Sequence, residues 1–338
     1  MAELRWGTAI LSHEQVMSSE RLPWIAEDPA SLRLFELAEK VAPAPTTLLI
    51  VGESGTGKDH LARLVHELGP RRDAPYLKID CASLPPQLVE SELFGHERGA
   101  FTGAVERKLG RLELGGSGTI VLDEVAALSP GAQSKLLRVL QERAFERLGG
   151  TETLRIEARL IALTNVDLPA AVKTGSFRED LYFRLNVVTL TVPPLRERRA
   201  DILPLATYLL AALRSVHGRP QAELSETTRR MLAAHAWPGN VRELRNALER
   251  ALVFSHGGRG NSGAQDDLLE PQDFPESVRA TAAGAASALA GLRSLEEVER
   301  EVIAATLEAT RYQISRSAEA LGISRKTLLE KRKKYGLK

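Results

Sequence analysis

Gly52-Glu53-Ser54-Gly55-Thr56-Gly57-Lys58 follows a short apolar run, Thr47–Val51, and opens a stretch of helical composition, Lys58–Leu68. Strand, glycine-rich loop ending in Gly-Lys, then helix: this order admits few folds. Glycines let backbone N–H groups close around phosphate oxygens, the helix N-terminus favours negative charge, and Lys58 reaches the β and γ phosphates. The apolar run reads as a buried strand of a parallel sheet. Asp59 stands where this loop usually carries a hydroxyl residue, so magnesium (Mg2+) must lean on other oxygens. A second strand, Thr119–Leu122, is uncharged until it ends in Asp123 and Glu124. Ligands of parallel sheets gather outside the carboxyl edge. There Asp123 is placed to hold Mg2+ and Glu124 to polarise an attacking water. An acidic pair after a strand is often only a helix cap; alongside the phosphate loop it makes chemical sense as a nucleotide site.

Three further runs, Tyr76–Cys81, Arg159–Leu163 and Asn186–Val192, complete a five-stranded parallel sheet in an α/β fold. Helices are expected at Ala30–Val41, Leu88–Phe94 and Gly131–Phe145, with a second insertion loop at Gly149–Glu157. Pro193-Pro194 marks the boundary to a helical lid with helices at Asp201–Leu213 and Glu226–Ala234. Trp237-Pro238-Gly239-Asn240 then makes a turn into a third, with Asn240 as its cap. Residues 256–265 read as a Gly/Ser-rich loop and 279–294 as a low-complexity linker. The domain reading is 1–21 as an N-terminal extension, 22–194 as the α/β subdomain, 195–278 as the lid, 279–294 as the linker and 295–338 as a small all-α domain.

The chain's net charge of +1 hides an asymmetry. From Arg311 to Lys338 nine Lys/Arg face two acids, a net +7 against −6 for everything before. A basic block on an acidic protein suggests a polyanion partner. Leu295–Glu308 forms a helix with Leu295, Val298, Val302 and Ala305 on one stripe, a dimer seam. Ser315–Leu321 and Ser324–Tyr335 are short helices joined at Gly322, the spacing of a helix-turn-helix. Ser324 caps the second of these. Arg325, Lys326 and Thr327 sit at its N-terminal end, where base edges of double-stranded DNA are reached, while Lys331, Lys333 and Lys334 belong with the phosphate contacts and Arg316 joins the DNA-binding set. The single cysteine, Cys81, excludes an internal disulfide or a cysteine metal cluster. The first 17 residues lack a long apolar run, so a cytoplasmic protein without a membrane segment is expected.

Between the two nucleotide motifs lies Gly99-Ala100-Phe101-Thr102-Gly103-Ala104, two glycines and three small residues around one phenylalanine. The run makes a poor helix interior and a good contact loop. With Glu97-Arg98 before it and the nucleotide motifs on either side, it resembles the sigma-54-dependent transcriptional activators, bacterial enhancer-binding proteins of the AAA+ ATPase class. The resemblance runs from about Leu22 to Lys338, and the tail resembles the Fis-type DNA-binding domain. It implies an ATPase that binds upstream DNA and assembles from dimers into a hexameric ring. Such a ring remodels the sigma-54 RNA polymerase closed complex, with Gly99–Ala104 touching the sigma factor. It further implies that Asn165 senses the γ phosphate, that Arg178 and Arg184 act at the subunit interface, one or both as an arginine finger, and that Arg242 is a second sensor. Six residues apart, the two arginines would lie roughly 120° from each other around a helix. Several positions depart from the family: Ile25-Ala26 replaces an isoleucine-glycine step of the adenine pocket, Asp80 replaces an asparagine that orients the catalytic glutamate, and Glu330 and Arg332 stand where basic and apolar residues are usual. The family often carries a sensory domain ahead of the ATPase, for which 21 residues leave no room; control by a trans-acting partner, by expression level or by the DNA site is then expected. A non-enzymatic DNA-binding regulator with a degenerate core, or an AAA+ remodeller with another client, are the competing readings. The full motif set and the Phe101-Thr102 tip argue against them.

Overall fold

The apolar runs fill both faces of one sheet. The computed structural model describes residues 4–6, 9–11, 23–255, 268–279, 295–310 and 312–336. Five parallel strands, β1 (Leu48–Val51), β2 (Tyr76–Asp80), β3 (Thr119–Asp123), β4 (Arg159–Thr164) and β5 (Val188–Thr191), lie in the order β5-β1-β4-β3-β2. Successive side chains point to opposite faces. Leu48 and Ile50 therefore pack with Val121, Ile161 and Leu163 against helices α1 (Pro29–Val41) and α2 (Lys58–Leu68). Leu49, Ile120, Leu122 and Leu160 pack on the opposite face against α3 (Pro86–Phe94) and α4 (Pro130–Glu142). Each such fully buried side chain stabilises by about 1.5–3 kcal/mol. Burial on both faces explains why these strands read as unbroken apolar runs.

The strand order sets the site. β4 lies between β1 and β3, so the carboxyl ends of all three meet: Thr164 pairs with Val51, Ala162 with Leu122, and the Gly52 N–H donates to the Thr164 carbonyl at 3.3 Å. On the far side of β3, Asp80 pairs with Asp123.

Two hairpins interrupt the α/β alternation. Gly95–His96 pairs antiparallel with Lys108–Leu109 and carries the 99–104 loop. Its base is tight: a Cβ on Gly110 would lie 2.4 Å from the Gly95 nitrogen, so only glycine fits. The second hairpin corrects the expected helix to Phe145. α4 stops at Glu142, Arg143 turns left-handed at φ 54, and Ala144–Glu146 pairs antiparallel with Thr153–Arg155. Continuing the helix would take Phe145, 3% exposed, out of the core it shares with Ile156.

After β5 the lid packs α6 (Ile202–Val216) against α7 (Glu226–Ala234) and α8 (Asn240–Phe254); α5 (Glu179–Leu185) belongs to the α/β part. Asp201, fully buried ahead of α6, accepts from the N–H groups of Glu27 and Asp28 at 2.7 and 2.8 Å and from the Ser31 hydroxyl. It thereby fixes the segment entering α1. Ahead of that segment, where no pattern was evident, Leu4–Trp6 pairs antiparallel with Ala9–Leu11. The chain separates into two compact units, residues 1–279 and 280–338. The second unit contains α9 (Leu295–Ala309), α10 (Ile314–Ala320) and α11 (Arg325–Tyr335) around Ile303, Leu307, Ala318 and Leu328. The expected 256–265 loop and most of the 279–294 linker lie outside the described residues.

Candidate nucleotide site and its coupling loops

The loop between β1 and α2 lines a cleft of about 440 Å³ together with Trp24, Ile25, Asp123, Glu124 and Arg242. Lys58 donates to the carbonyls of Gly52 and Glu53 at 2.9 and 3.1 Å, and burial pushes its ammonium below the usual lysine range. Thr56 is buried and donates to the Glu53 carbonyl at 2.9 Å. Trp24 stacks on His60 with ring centroids 5.8 Å apart, and His60 bonds the Pro23 carbonyl at 3.0 Å. This gives the Ile25-Ala26 segment a firm backing. Arg198, unremarked in the sequence, is buried beside the cleft and donates to the Thr56 carbonyl at 2.5 Å. Its Nε is buried without a hydrogen-bond partner among the described residues. A cleft with an N–H-rich loop, a buried ammonium and an unsatisfied guanidinium nitrogen fits a nucleotide polyphosphate.

Asp123 and Glu124 sit across from the loop. The Asp123 carboxylate accepts the Glu124 N–H at 3.0 Å, and Glu124 adopts a left-handed conformation, φ 51 and ψ 52. The Asn165 N–H donates to Glu124 Oε2 at 3.3 Å. The ends of β3 and β4 thus join the expected base and the expected γ-phosphate sensor. Among the described residues no three His, Cys, Asp or Glu side chains form a metal cage. One or two carboxylates beside a phosphate loop is the donor set that suits Mg2+. Asp80 caps a turn through one carboxylate oxygen, Oδ1 accepting from Ala82 N and Ser83 N at 2.9 and 3.1 Å; it is a strand-end acid. Lys78, overlooked in the sequence, bonds both Asp59 and Asp123, the latter at 2.7 Å. A period-two reading of β2 would have placed Lys78 and Asp80 on one side.

The lid holds the phosphate loop directly. Arg242 donates to Ser54 Oγ at 2.8 Å, and the Val241 N–H donates to the Gly55 carbonyl at 3.0 Å. Gly55, at φ 76, approaches so closely that a Cβ would lie 2.5 Å from the Gly239 carbonyl oxygen. Glu53 forms a two-pronged ion pair with Arg196 at 2.5 and 2.8 Å. That pair, with an Asn240 hydrogen bond, holds the carboxyl down at about 2. The expected role of Asn240 as helix cap is corrected. Asn240 lies inside α8, fully buried, and its side chain accepts from Leu195 N at 2.8 Å while donating to Ser54 O and Glu53 at 3.0 and 3.2 Å. Glu243 instead takes the Gly239 N–H at 2.7 Å, leaving Arg242 for the cleft. Asn240→Ala strands the buried Leu195 N–H, removes the bond to the part-buried Ser54 carbonyl and places alanine at φ 53. It is expected to destabilise the unliganded protein by about 2–4 kcal/mol. Thermal unfolding checks this; a Tm shift under roughly 2 °C would remove Asn240 from the coupling.

The 99–104 loop is shaped rather than open. Gly99 N donates to Ala104 O at 2.8 Å across its neck, and Ala104 is buried. Phe101 is half-buried, edge-on to His96 at 5.0 Å, while Thr102 is exposed. The second hairpin supports it. Glu97 N donates to Leu148 O at 3.0 Å, and Gly149 packs against Ala100 so closely that a Cβ would lie 2.8 Å away. Arg147, its side chain 2% exposed, bonds Glu97 and Glu152 at 2.9 Å each and Glu113 at 2.7 and 3.0 Å. One guanidinium therefore joins the neck of the loop, its return arm and the second hairpin. No motif flagged Arg147; two of its three partners, Glu97 and Glu113, are distant in sequence.

Arg178 does not share a helix with Arg184. It precedes α5 in an extended conformation, φ −74 and ψ 134, so the angle expected between them does not apply. Its guanidinium is held by Asp180 at 2.7 and 3.0 Å. Arg184, in the last turn of α5, is exposed beside exposed Phe183 and Val187. In the second unit Ser324 caps α11, accepting from Thr327 N at 3.1 Å. Arg316, Arg325 and Lys326 are exposed, and Thr327 is half-buried. Lys331 is drawn into a bond with Glu299 of α9, which also accepts from the Tyr335 hydroxyl at 2.5 Å. Of the expected seam, Val302 and Ala305 are exposed while Ile303 and Leu307 face the small core.

Comparison with known proteins places these features in one lineage. Residues 24–191 match the sigma-54 interaction domain, 196–290 the AAA+ ATPase lid domain and 294–335 the bacterial regulatory protein Fis family. The transcriptional regulatory protein FlbD of Caulobacter vibrioides is 42% identical over 325 residues, covering 94% of this chain and 71% of FlbD. The regulatory protein AtoC of Escherichia coli is 42% identical over 93% of this chain and 68% of its own. The Nif-specific regulatory protein of Azotobacter vinelandii is 50% identical over 69% of this chain and 45% of its own. Among solved structures, NtrX from Brucella abortus in complex with ATP superposes with a TM-score of 0.68 at 33% identity, covering 96% of this chain and 72% of NtrX. No helix among the described residues is long and apolar enough to cross a membrane. With its α/β ATPase core, helical lid and Fis-type helix-turn-helix, the chain belongs to the sigma-54-dependent transcriptional activators of the AAA+ ATPase class.

Proposed function

We propose that this activator works as a ring of self-associated subunits. In the ring ATP hydrolysis at the 52–58 loop is transmitted through the Arg147 junction to the 99–104 loop, which touches sigma-54 within RNA polymerase. The observation that carries the reading is that Lys58, Asp123, Glu124 and Arg242 line one cleft, while the contact loop stands on a separate arm tied by a single buried guanidinium. Lys58 releases the Gly52 and Glu53 carbonyls to meet the β and γ phosphates, and Asp123 holds Mg2+, which neutralises phosphate charge. Glu124 orients the attacking water and accepts its proton. Asn165, tied to Glu124 through its own N–H, sits where loss of the γ phosphate alters the glutamate's partner. Arg242 carries the lid position to Ser54. Arg184 is the finger reaching a neighbour's phosphate, and the exposed Phe183 and Val187 beside it suit a subunit interface.

The second unit binds upstream double-stranded DNA as a dimer through the Val302–Ala305 stripe. Arg325, Lys326 and Thr327 meet base edges, while Arg316 and Lys334 meet phosphates. Lys331 is the weaker phosphate candidate, because leaving Glu299 costs an ion pair. Location in the cytoplasm and a trans-acting controller complete the reading.

The test is binding of the purified chain to isolated sigma-54 with and without ADP–aluminium fluoride. Complex formation is expected only with the transition-state mimic and is expected to be lost in Thr102→Ala and Phe101→Ala, with ATPase activity within about threefold of wild type. Binding without the mimic, or full binding by both variants, would dismiss the 99–104 loop as the nucleotide-gated contact.

A further inference from the structure

Lys78 takes no part in the reading above, yet it touches the residue on which the metal depends. It lies in β2 two residues before Asp80, and β2 runs beside β3 with Lys78 level with Val121 and Asp80 level with Asp123. From there its long stem carries the ammonium to the carboxyl edge of the sheet. The ammonium lies 2.7 Å from Asp123 Oδ2 and also bonds the carboxylate of Asp59 in the first turn of α2. The other oxygen of Asp123 accepts the Glu124 N–H. The Asp123 side chain is 15% exposed and that of Lys78 37%, so water screens this pair only in part. Both oxygens of the metal-holding carboxylate are therefore engaged, one of them by a full positive charge.

The neighbourhood explains the need for that charge. Asp59, Asp80, Asp123 and Glu124 crowd the ends of β2, β3 and the start of α2, and Lys58 is committed to the phosphate loop. Asp80 is occupied by the Ala82 and Ser83 N–H groups. Asp59 and Asp123 share Lys78. A magnesium ion held by Asp123 would thus meet a carboxylate already bonded to the Lys78 ammonium and would be repelled by that charge.

We propose that Lys78 is a positioning residue that shares Asp123 with magnesium and so sets the magnesium concentration that nucleotide binding requires. The inference rests on Asp123 being the magnesium ligand. Lys78 holds the Asp123 carboxylate and the Asp59 carboxylate together, and its charge weakens the divalent ion that enters beside it. A purely structural ion pair would affect folding but would not move the metal requirement.

The experiment is binding of a fluorescent ADP analogue to the full chain, titrated with magnesium chloride, for wild type, Lys78→Met, Lys78→Gln, Lys78→Arg and Asp123→Asn. Removing one unit charge a few ångströms from a divalent ion is expected to lower the half-saturating magnesium concentration about tenfold in Lys78→Met and Lys78→Gln. Lys78→Arg, which keeps the charge, should stay within about threefold of wild type. Lys78→Gln separates charge from hydrogen bonding, since it keeps a donor. A magnesium requirement unchanged or raised in both neutral variants overturns the proposal. Asp123→Asn should lose most of the magnesium dependence. If it does so while the neutral Lys78 variants behave as wild type, only the role of Lys78 falls. If Asp123→Asn keeps the dependence, the metal assignment itself falls.

Discussion

Glu124→Gln is expected to lower ATP turnover about 10²–10⁴-fold, the range a positioned general base contributes, while ATP stays bound. The substitution is nearly isosteric. The glutamine oxygen still accepts the Asn165 N–H, seen at 3.3 Å, and the left-handed backbone at φ 51 is strained equally by either residue. What disappears is basicity at the one carboxylate that faces both the Asn165 loop and the cleft. Lys58, Thr56 and Arg242, which shape the phosphate and lid contacts, are untouched. Equilibrium binding of a fluorescent ATP analogue beside single-turnover hydrolysis separates the two effects. Turnover within about threefold of wild type would place the base on another residue.

The nucleotide site was largely legible in the sequence because its parts are short, contiguous motifs at the ends of strands. Gly52–Lys58, Asp123-Glu124 and Asn165 are each read from a strand and the residues that follow it. The topology then brings β1, β4 and β3 side by side, as an α/β sheet of this kind requires. What stayed hidden depends on partners far apart in sequence. Asn240 looks like a helix cap from its neighbours, yet its side chain reaches Leu195, Ser54 and Glu53, between 45 and 187 residues away. Arg147 gathers Glu97, Glu113 and Glu152, the first 50 residues away. Lys78 was passed over because a charged residue in a strand reads first as a solvated side chain. The helix expected to Phe145 failed for a local reason. Apolar spacing near 143–146 suits a helix and a short strand alike, and the left-handed Arg143 that decides between them carries no glycine to announce it.

The pattern of missed residues has a mechanical sense. On the proposed reading, chemistry at the cleft and contact at the 99–104 loop are each encoded locally, whereas the links among the surrounding elements are made by side chains that span elements. Asn240 and Arg196 join lid to phosphate loop; Arg147 joins the two hairpins; the Glu124–Asn165 bond joins β3 to β4. A subunit that hydrolyses ATP without moving its contact loop is therefore the expected phenotype of damage to the couplings, and a subunit that binds without hydrolysing is that of damage to the motifs.

Arg184→Ala should lower turnover about 10³–10⁵-fold, the contribution of an arginine finger, and the loss should be repairable in trans. The structure separates the two candidate arginines. Arg178 is fastened to Asp180 by two hydrogen bonds and also donates to Ser134, so reaching a neighbour means giving up an ion pair. Arg184 projects from the last turn of α5 and makes no ion pair among the described residues, next to Phe183, 64% exposed, and Val187, 57% exposed. An exposed guanidinium beside exposed apolar side chains is arranged to act on another copy of the chain, where desolvation on assembly would strengthen its attraction to phosphate. The decisive measurement mixes Arg184→Ala with Glu124→Gln, each inactive alone. In a ring with head-to-tail interfaces, a junction formed by the Arg184→Ala subunit's nucleotide site and the Glu124→Gln subunit's finger has every group intact. Random mixing should restore roughly a quarter of wild-type turnover. A finger acting within its own chain predicts no recovery at any ratio. If Arg184→Ala alone keeps near-wild-type turnover while Arg178→Ala does not, the Asp180 pair opens on assembly and the finger is Arg178.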